Sequence, residues 1–581
     1  MHFPLRFLFI ILLFFVLFGG LVYRILDLSC FSRNYYKRFV HLTHGTKKMQ
    51  KAIRGQIRDR NGSIFAMTTL KTDVGVDPYI ADVQKDREKI IQLAALLGRS
   101  FEEVEELFVP QTFSREGKAV RLRWKKIVTA DGDFYAKIEA LHIKGVYGNA
   151  KIERIYPNNE LACHLIGFLN GEGVAVSGVE RFMDDFLRGQ DGWIESEKDG
   201  KRMEIPLFRQ LVIDPKNGSN IDLTIDMHVQ SVVEELLRKS AEELRAKSGT
   251  IIVSDPSTGE ILALCNVPSF DCNAYNRVEE DWWRNRAIAD VYEPGSIFKI
   301  VPFSIALQEK LISLQQRFDC SRELFYYNDR KYNLPKDHKP LGNLNAVEVL
   351  RQSSNRGLAQ MGIILGAEKL YDAARKFGFG EKTGYGFDGE AAGLLLKPER
   401  WDSLTITRLP MGHAICATPL QVHQAMGVIA SGGYLLEPKV IGRIVDECGE
   451  EIIRTEPHIV RKVLELDTVK KLRAVLHNPE SDAATMERVK VAYKTGTTQK
   501  LVDGIYSHEH HIASCSGFFP AEEPRFLITV VIDDPVVDGT AYGVRVAYPL
   551  FAKVARFLIL SNGLNGEIFS PTLGVNSRIN F

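Results

Sequence analysis

The chain has 581 residues, of which 45% are hydrophobic and 25% are charged, so it is long enough for several domains and a large buried core. Its 74 basic and 73 acidic residues give a net charge of +1, which argues against a nucleic-acid partner without excluding a local basic patch. The eight cysteines form no Cys-x-x-Cys pair and no Cys/His cluster with zinc spacing. We therefore expect buried free thiols, no metal site and no cofactor.

An uncharged apolar run occupies residues 7–23, between Arg6 and Arg24. As a helix it would be about 25 Å long, which is enough to cross a bilayer core if Arg24 extends towards the headgroups. A cleaved signal peptide is the alternative, but its apolar core is usually shorter, and no Ala-x-Ala-like site follows the run. We therefore expect residues 1–28 to be an uncleaved membrane anchor.

Residues 45–215 mix helical and extended patterns. Near the start of this region, residues 54–62 read Arg-Gly-Gln-Ile-Arg-Asp-Arg-Asn-Gly, and the last four are typical of a tight turn between extended segments. Helical spacing with acidic outer faces predicts helices over 86–97 and 101–108. We expect Arg54, Arg60 and Glu180 to be structural and to pair with one another.

A polar linker at residues 215–220 precedes a third region, residues 221–560, in which strands at both ends enclose helices. This order predicts an α+β domain whose sheet is closed by distant segments. The run 489–497 should pair with one of the last strands. Residues 561–581 are predicted to be a C-terminal tail. The other predicted elements are a helix over 227–246, strands over 250–253, 261–264, 512–519 and 526–532, and a helix over 547–560.

The most informative segment is Tyr-Glu-Pro-Gly-Ser-Ile-Phe-Lys at residues 292–299. A Pro-Gly pair followed by an apolar run predicts a helix that starts at Ser296, with Lys299 on the same face under the serine hydroxyl. An uncharged lysine can take the serine proton, and a helix start offers N–H groups to an oxyanion. A capping serine followed by a solvated lysine is the alternative, because Ser-x-x-Lys alone is weak evidence. Pro302 should bend this helix by removing a bond to Phe298.

Two further motifs follow in order, Ser-Ser-Asn at residues 353–355 and Lys-Thr-Gly-Thr at residues 494–497. Together with Ser-x-x-Lys they form the trio that characterises penicillin-binding proteins and β-lactamases. Lys-Thr-Gly-Thr is the most specific of the three motifs. The chain therefore resembles this family of serine acyltransferases.

The resemblance extends over nearly the whole chain. Residues 54–62 are similar to the motif that opens the non-catalytic region of class B penicillin-binding proteins. Ser-Ser-Asn and the stretch 518–535 resemble the division-specific, septal members, and no glycosyltransferase motif precedes the linker. The resemblance implies an N-terminal transmembrane helix, an elongated mixed α/β pedestal of the dimerisation type, and a transpeptidase domain with an antiparallel sheet, flanking helices and an all-helical lobe.

The resemblance also implies a role for each motif residue. Ser296 would be the nucleophile and Lys299 its base, Ser353 would pass a proton to the leaving amine, and Asn355 would orient Lys299. Lys494 would hold a free carboxylate together with the Thr495 and Thr497 hydroxyls. The backbone N–H groups of Ser296 and Thr497 would form the oxyanion hole. Gly496 would allow a substrate peptide to add as a strand beside the motif.

Such proteins cross-link peptidoglycan stem peptides at D-Ala–D-Ala and are acylated by β-lactam antibiotics. The resemblance therefore implies a single-pass protein of the bacterial cytoplasmic membrane with its catalytic part on the periplasmic side, although the basic residues after the anchor do not favour that orientation. It also implies a polytopic glycan polymerase and other division proteins as partners. An elongation-specific transpeptidase, a β-lactamase and a membrane-anchored β-lactam sensor are the alternatives.

Overall fold

The computed structural model describes residues 5–33, 35, 45–115, 118–198, 204–209, 211–477, 479, 485–486, 488–502 and 504–564. The predicted tail lies outside the described residues from residue 565 onward. The chain divides into two compact units. The first contains Met1–Gly55 and Arg188–Gly218, and the second contains Gln56–Leu187 and Ser219–Phe581.

The first unit begins with an apolar α-helix, Leu5–Leu26, which continues as a π-helical turn, Asp27–Phe31. The segment Phe7–Phe31 has a mean hydropathy of 2.5 over its most apolar window and none of that window is buried, so it is long and apolar enough to cross a membrane. A small antiparallel sheet completes the described part of this unit. Its strands are Gly45–Gln50, Gly192–Lys198, Glu204–Ile205 and Leu211–Ile213, and a 3₁₀ turn covers Pro206–Phe208.

The second unit contains a seven-stranded sheet built from segments far apart in sequence. The predicted turn after residue 58 is confirmed: Gly62 has a φ of 90°, and the Asp59 carboxylate accepts the N–H groups of Asn61 and Ser63. The strands, in spatial order, are Glu451–Arg454, Ile441–Val445, Asn220–Leu223, Ile57–Arg58, Ile64–Val76 and Lys125–Ala130, and Val146–Ile155 also pairs with Ile64–Val76.

A five-stranded antiparallel sheet carries the third predicted motif. Two of its inner strands, Ser248–Ser254 and Phe526–Asp533, are buried along almost their whole length, whereas one edge is formed by Ala492–Val502, which we call the edge strand. The edge strand pairs only with Ile505–Phe519 among the described strands. In spatial order the strands are Ile261–Val267, Ser248–Ser254, Phe526–Asp533, Ile505–Phe519 and Ala492–Val502.

Helices cover both faces of this sheet. The last helix, Ala547–Ser561, buries apolar residues at the i, i+3, i+4, i+7 spacing expected of an amphipathic helix. The described α-helices of this unit are Arg87–Leu97, Phe101–Glu105, Gly132–Glu139, Cys163–Ile166, Gly178–Phe182, Asp184–Leu187, Met227–Glu243, Arg286–Ala289, Ile300–Gln308, Ala346–Arg351, Asn355–Leu365, Ala367–Lys376, Thr405–Arg408, Pro419–Ala430, Leu466–Leu476 and Ala547–Ser561.

Shorter elements fill the connections. The 3₁₀ turns are Glu106–Phe108, Cys272–Arg277, Glu280–Trp283, Gly295–Ile297, Pro398–Arg400 and Leu409–Met411. The two-stranded pairs are Thr112–Arg115 with Lys118–Arg121, Arg317–Asp319 with Asn343–Asn345, Leu324–Tyr327 with Arg330–Asn333, Leu394–Leu395 with Ile415–Cys416, Tyr434–Leu436 with Ile459–Lys462, and Thr485–Met486 with Val489–Lys490.

The α+β architecture predicted from the sequence is confirmed, and the two predicted strands at each end of the third region meet in one sheet. The start of the nucleophile segment differs from the prediction. Gly295–Ile297 is a 3₁₀ turn, and the α-helix begins only at Ile300. Pro302 explains the difference: it has no N–H for the Phe298 carbonyl, which instead accepts the N–H of Val301 at 2.9 Å.

The predicted pairing of Arg60 with Glu180 is wrong. The Arg60 guanidinium lies 3.4 Å from Glu260, whereas the fully buried Glu180 accepts bonds from Arg154 at 2.7 Å and from the Tyr156 hydroxyl at 3.2 Å. Arg154 and not Arg60 is the charged partner of Glu180, and a completely buried carboxylate needs such a partner. Arg54 is itself buried, with 9% of its surface exposed.

None of the eight cysteines forms a disulfide, and five of them are buried. Cys30 and Cys448 are exposed, so the expectation of buried thiols holds for most of the set and not for these two. Among the described residues, no cluster of three or more His, Cys, Asp and Glu side chains is arranged to hold a metal ion.

Candidate active site

Ser296 lies in the 3₁₀ turn Gly295–Ile297, which we call the nucleophile turn. The turn is held by Gly295, whose φ is 53° and whose N–H donates to the Gly412 carbonyl at 3.1 Å. The Ser296 side chain is half-buried, and its hydroxyl makes no hydrogen bond to any described residue. The nucleophile candidate is therefore open to a substrate.

The Lys299 side chain is fully buried, and its amine is directed at the Ser-Ser-Asn motif. It donates to the Ser353 carbonyl at 2.5 Å, to Ser353 Oγ at 3.1 Å and to Asn355 Oδ1 at 2.7 Å. Burial lowers the pKa of Lys299 well below its ordinary value, the neighbouring Lys494 charge lowers it further, and Asp337 opposes this shift. The expected bond between Lys299 and the Ser296 hydroxyl is not formed in this structure.

The Ser-Ser-Asn motif connects the helices Ala346–Arg351 and Asn355–Leu365. Ser353 has a φ of 57°, a left-handed conformation that is unfavourable for a residue with a Cβ and that directs its carbonyl at Lys299. Ser354 caps the second helix by accepting the N–H of Gly357 at 3.0 Å. The strained backbone of Ser353 is therefore at the position where its carbonyl accepts the Lys299 amine.

Asp337 holds this motif from a preceding loop. Its carboxylate accepts the Ser354 hydroxyl at 2.8 Å, the Arg356 N–H at 3.2 Å and the Asn355 N–H. The Asn355 side-chain amide in turn donates to the Lys336 carbonyl at 2.9 Å, which fixes the orientation of the oxygen that faces Lys299. Asp337 could not be predicted from the sequence, because a lone acidic residue sixteen positions upstream of Ser353 has no motif spacing.

Lys494 approaches Ser353 from the edge strand. Its amine donates to Ser353 Oγ at 3.0 Å and to the Thr495 carbonyl at 3.1 Å, and burial lowers its pKa to about 8. The Ser353 hydroxyl therefore accepts bonds from two buried lysine amines, which leaves its own proton free to be donated. Structurally, this hydroxyl joins all three motifs.

Gly496 faces the nucleophile turn and not the open edge of the sheet. A Cβ at this position would lie 2.9 Å from the Pro294 carbonyl and 2.5 Å from Ser514 Oγ. The glycine is therefore required for the close approach of the nucleophile turn to the edge strand. This differs from the expectation that it makes room for a substrate strand.

The two threonines of the Lys-Thr-Gly-Thr motif are half-buried and alternate with its buried residues along the edge strand. Thr497 Oγ1 accepts the N–H of Gly543 at 2.9 Å, so this hydroxyl already has one partner. Thr495 lies opposite Cys515, and Thr497 lies opposite Ala513. Their outer backbone groups stand at the free edge of the sheet, where an extended peptide could pair.

His338 is a second residue that the sequence analysis missed. It follows Asp337, and its ring contacts Tyr542 edge-on with 5.8 Å between centroids. Burial lowers the pKa of His338, and the nearby Lys299 charge lowers it further. A single histidine in a polar loop carries no spacing that would distinguish it from a surface residue.

Comparison with known proteins identifies both folded regions of the chain. Residues 249–556 match the model of the penicillin-binding protein transpeptidase domain, and residues 49–223 match that of the penicillin-binding protein dimerisation domain. Among curated relatives, Stage V sporulation protein D of Bacillus subtilis is 30% identical over 98% of this chain and 86% of its own length. Peptidoglycan D,D-transpeptidase FtsI of Escherichia coli is 31% identical over 72% of this chain and 68% of its own.

A solved structure supports the same assignment. The crystal structure of a peptidoglycan synthetase from Bifidobacterium adolescentis superposes with a TM-score of 0.69 at 26% identity, covering 92% of this chain and 99% of that one. The three motifs predicted from the sequence converge on Ser353 within the region that matches the transpeptidase model. The chain belongs to the class B penicillin-binding protein transpeptidases.

Proposed function

We propose that the protein is a serine-type peptidoglycan D,D-transpeptidase. The observation that carries this proposal is the Ser353 hydroxyl, which is hydrogen-bonded by two buried lysine amines, one of them three residues after a Ser296 hydroxyl that has no hydrogen-bond partner among the described residues. Such an arrangement can move a proton between a nucleophile, a base and a leaving amine without exposing a charge to solvent. The names of the curated relatives support the same activity.

In the proposed first step, neutral Lys299 takes the Ser296 proton while Ser296 Oγ attacks the carbonyl carbon of the penultimate D-Ala. The oxyanion is stabilised by the N–H groups of Ser296 and Thr497. Collapse breaks the amide bond, and the Ser353 hydroxyl passes a proton to the departing D-Ala amine while the Lys299 ammonium returns its proton to Ser353 Oγ. Asn355 keeps the Lys299 amine in position throughout, through the 2.7 Å contact described above.

In the second step, an amine of a neighbouring stem peptide attacks the acyl carbon and gives up a proton to neutral Lys299. The bond between Ser296 Oγ and the acyl group then breaks, and Lys299 returns the proton to Ser296 Oγ. Before acylation, the donor peptide lies along the edge strand, and its terminal carboxylate, which later leaves with the last D-Ala, is held by Lys494 with the hydroxyls of Thr495 and Thr497. A pKa of about 8 leaves much of Lys494 protonated at neutral pH, which suits a carboxylate partner. β-Lactams acylate the same serine because their amide occupies the position of the scissile bond.

The proposed location follows from the substrate, which lies outside the cytoplasmic membrane. The apolar helix Leu5–Leu26 supplies a single-pass anchor, and the catalytic region is on the periplasmic side. We propose domain boundaries at 1–28 for the anchor, 45–215 for the pedestal and 221–560 for the transpeptidase. A polytopic glycan polymerase and other division proteins are the proposed partners.

The fate of the penicillin adduct tests the reaction type. A transpeptidase should hold the adduct for many minutes and should exchange labelled D-Ala into a D-Ala–D-Ala peptide, because an amine and not water is its acceptor. Release within seconds would indicate a β-lactamase. A persistent adduct without exchange would indicate a sensor, so fluorescence decay and D-Ala incorporation should be measured on the same preparation.

We propose a septal role because the Ser-Ser-Asn motif and the stretch 518–535 resemble division-specific enzymes. Depletion of the protein should then block division while growth in length continues, which gives filaments. Phase-contrast microscopy of depleted cells checks this expectation. Rounded cells would instead assign the protein to wall elongation.

A further inference from the structure

The carboxylate of Glu293, three residues before Ser296, connects segments that the proposed mechanism needs in register. Its side chain is only 17% exposed. One carboxylate oxygen accepts the Ala414 N–H at 3.0 Å, and the Tyr506 hydroxyl lies 3.1 Å from both oxygens. The backbone carbonyl of Glu293 accepts the Thr498 hydroxyl at 2.8 Å. Glu293 therefore connects the nucleophile turn to the loop at 412–414, to the edge strand and to the neighbouring strand Ile505–Phe519.

The part of the hairpin that Tyr506 belongs to is otherwise tied to the domain at its base, where His510 and the His511 carbonyl contact Asp534 at 2.8 Å and Lys500 contacts Asp533 at 2.7 Å. The strand Ile505–Phe519 pairs with the rest of the sheet only from Ile512 onward, so residues 505–511 and their partners extend beyond it as an arm. The arm exposes 62% of Leu501 and 74% of Ile505. Because the arm is continuous with Lys-Thr-Gly-Thr, any rotation of it would move the strand that grips the substrate.

The Glu293 carboxylate is held mainly by hydrogen bonds and not by an ion pair, as the titratable group next to it shows. His413 Nε2 lies 4.0 Å from Glu293, and the ring contacts Tyr506 edge-on. Burial, followed by the Lys299 and Arg408 charges, lowers the pKa of His413 to about 4, so the imidazole is neutral at pH 7. Burial raises the pKa of Glu293, while the Ala414 and Tyr506 bonds oppose that shift.

We propose that Glu293 is a positioning residue that fixes the hairpin arm against the nucleophile turn and so sets the gap between Ser296 and the edge strand. The glycine contacts support this role, because a Cβ on Gly295 would lie 2.6 Å from Thr498 Oγ1 and one on Gly496 would lie 2.9 Å from the Pro294 carbonyl. With so little space between turn and strand, a small shift changes the alignment of the reacting groups. The inference rests on the proposed role of Ser296.

The test uses full-length protein in detergent and a fluorescent penicillin. Glu293→Gln keeps the side-chain shape but replaces one acceptor by a donor, and Tyr506→Phe removes only the hydroxyl. Each is expected to lower the first-order acylation rate constant roughly tenfold, with less than twofold change in the dissociation constant of the pre-covalent complex and a decrease in Tm of no more than about 4 °C. The double variant should be no slower than the slower single variant, since both changes break the same contact.

Glu437→Gln is the matched control. Glu437 contacts His458 at 2.6 Å, and both residues are far from the three motifs in sequence. The variant loses this contact and should be acylated at the parental rate. Parental rates in both single variants, or losses that multiply in the double variant, would overturn the proposal. The proposal would also be overturned if the loss of rate in these variants were explained by unfolding, that is, by a large decrease in Tm. If Glu293→Gln does not fold, Tyr506→Phe decides alone. An adduct on Ser296 of the parent, located by mass spectrometry, separates these outcomes from a failure of the proposed function.

Discussion

Replacing Lys299 with methionine is expected to slow acylation by penicillin roughly 10³- to 10⁴-fold, which is the upper range for the loss of a general base. The side chain is fully buried, and its amine is held at the Ser-Ser-Asn motif by hydrogen bonds to Ser353 and Asn355. Methionine has a similar length and no proton-accepting nitrogen. Stopped-flow fluorescence with a labelled penicillin, at pH 7 and saturating drug, gives the rate constant.

The control for this prediction is Lys553→Met, which removes an exposed lysine of the last helix and should acylate at the parental rate. Tm must be measured as well, because the Lys299 substitution leaves the Asn355 and Ser353 oxygens without their donor and costs about 1–3 kcal/mol of stability. A folded Lys299→Met variant that acylates within tenfold of the parent would show that another group activates the serine.

Replacing Lys494 with methionine is expected to lower acylation by roughly 10²- to 10³-fold and also to move its pH dependence. Burial and then the Lys494 charge lower the pKa of Lys299. Without that charge the pKa of Lys299 rises, so less of the amine is neutral at pH 7. The limb of the pH–rate profile that rises with pH should therefore shift to higher pH, and raising the pH should restore part of the rate.

The pH profile separates two roles of Lys494. Loss of carboxylate binding alone would lower the rate mainly below about pH 8, where Lys494 is protonated, and would leave the rising limb in place because it would not change the protonation of Lys299. A β-lactam ester that lacks the free carboxylate provides the control, since its acylation should keep the shift in the pH profile while losing most of the rate difference. An unchanged profile with the ordinary drug would contradict the coupling of the two amines.

Much of the fold follows from the sequence. The strand runs at 250–253, 261–264, 512–519 and 526–532 are short, apolar and bounded by turn residues, and all of them meet in one sheet. The strands extend further than predicted, most of all Ile505–Phe519, because residues 505–511 are polar or exposed and are held by their hairpin partner and by contacts with the distant Glu293 and with Asp534. Local composition does not reveal such long-range pairing.

The motifs could be predicted from the sequence, but the arrangement of their side chains in the site could not. Spacing indicated that Ser296 and Lys299 share one helix face, yet Pro302 makes the first turn a 3₁₀ turn and the amine points towards Ser353. Asp337 and Glu293 escaped detection for a different reason. Each acts through backbone N–H groups or a hydroxyl of a distant segment, and such contacts leave no recurring pattern along the chain.

The central claim is that Ser296, in the nucleophile turn that packs against the edge strand, is the residue acylated. Peptide mass spectrometry of the full-length protein after incubation with penicillin tests it most directly. We predict one adduct, on the peptide that contains Ser296, and none in a folded Ser296→Ala variant. An adduct on any other residue, or undiminished labelling of Ser296→Ala, would contradict the account.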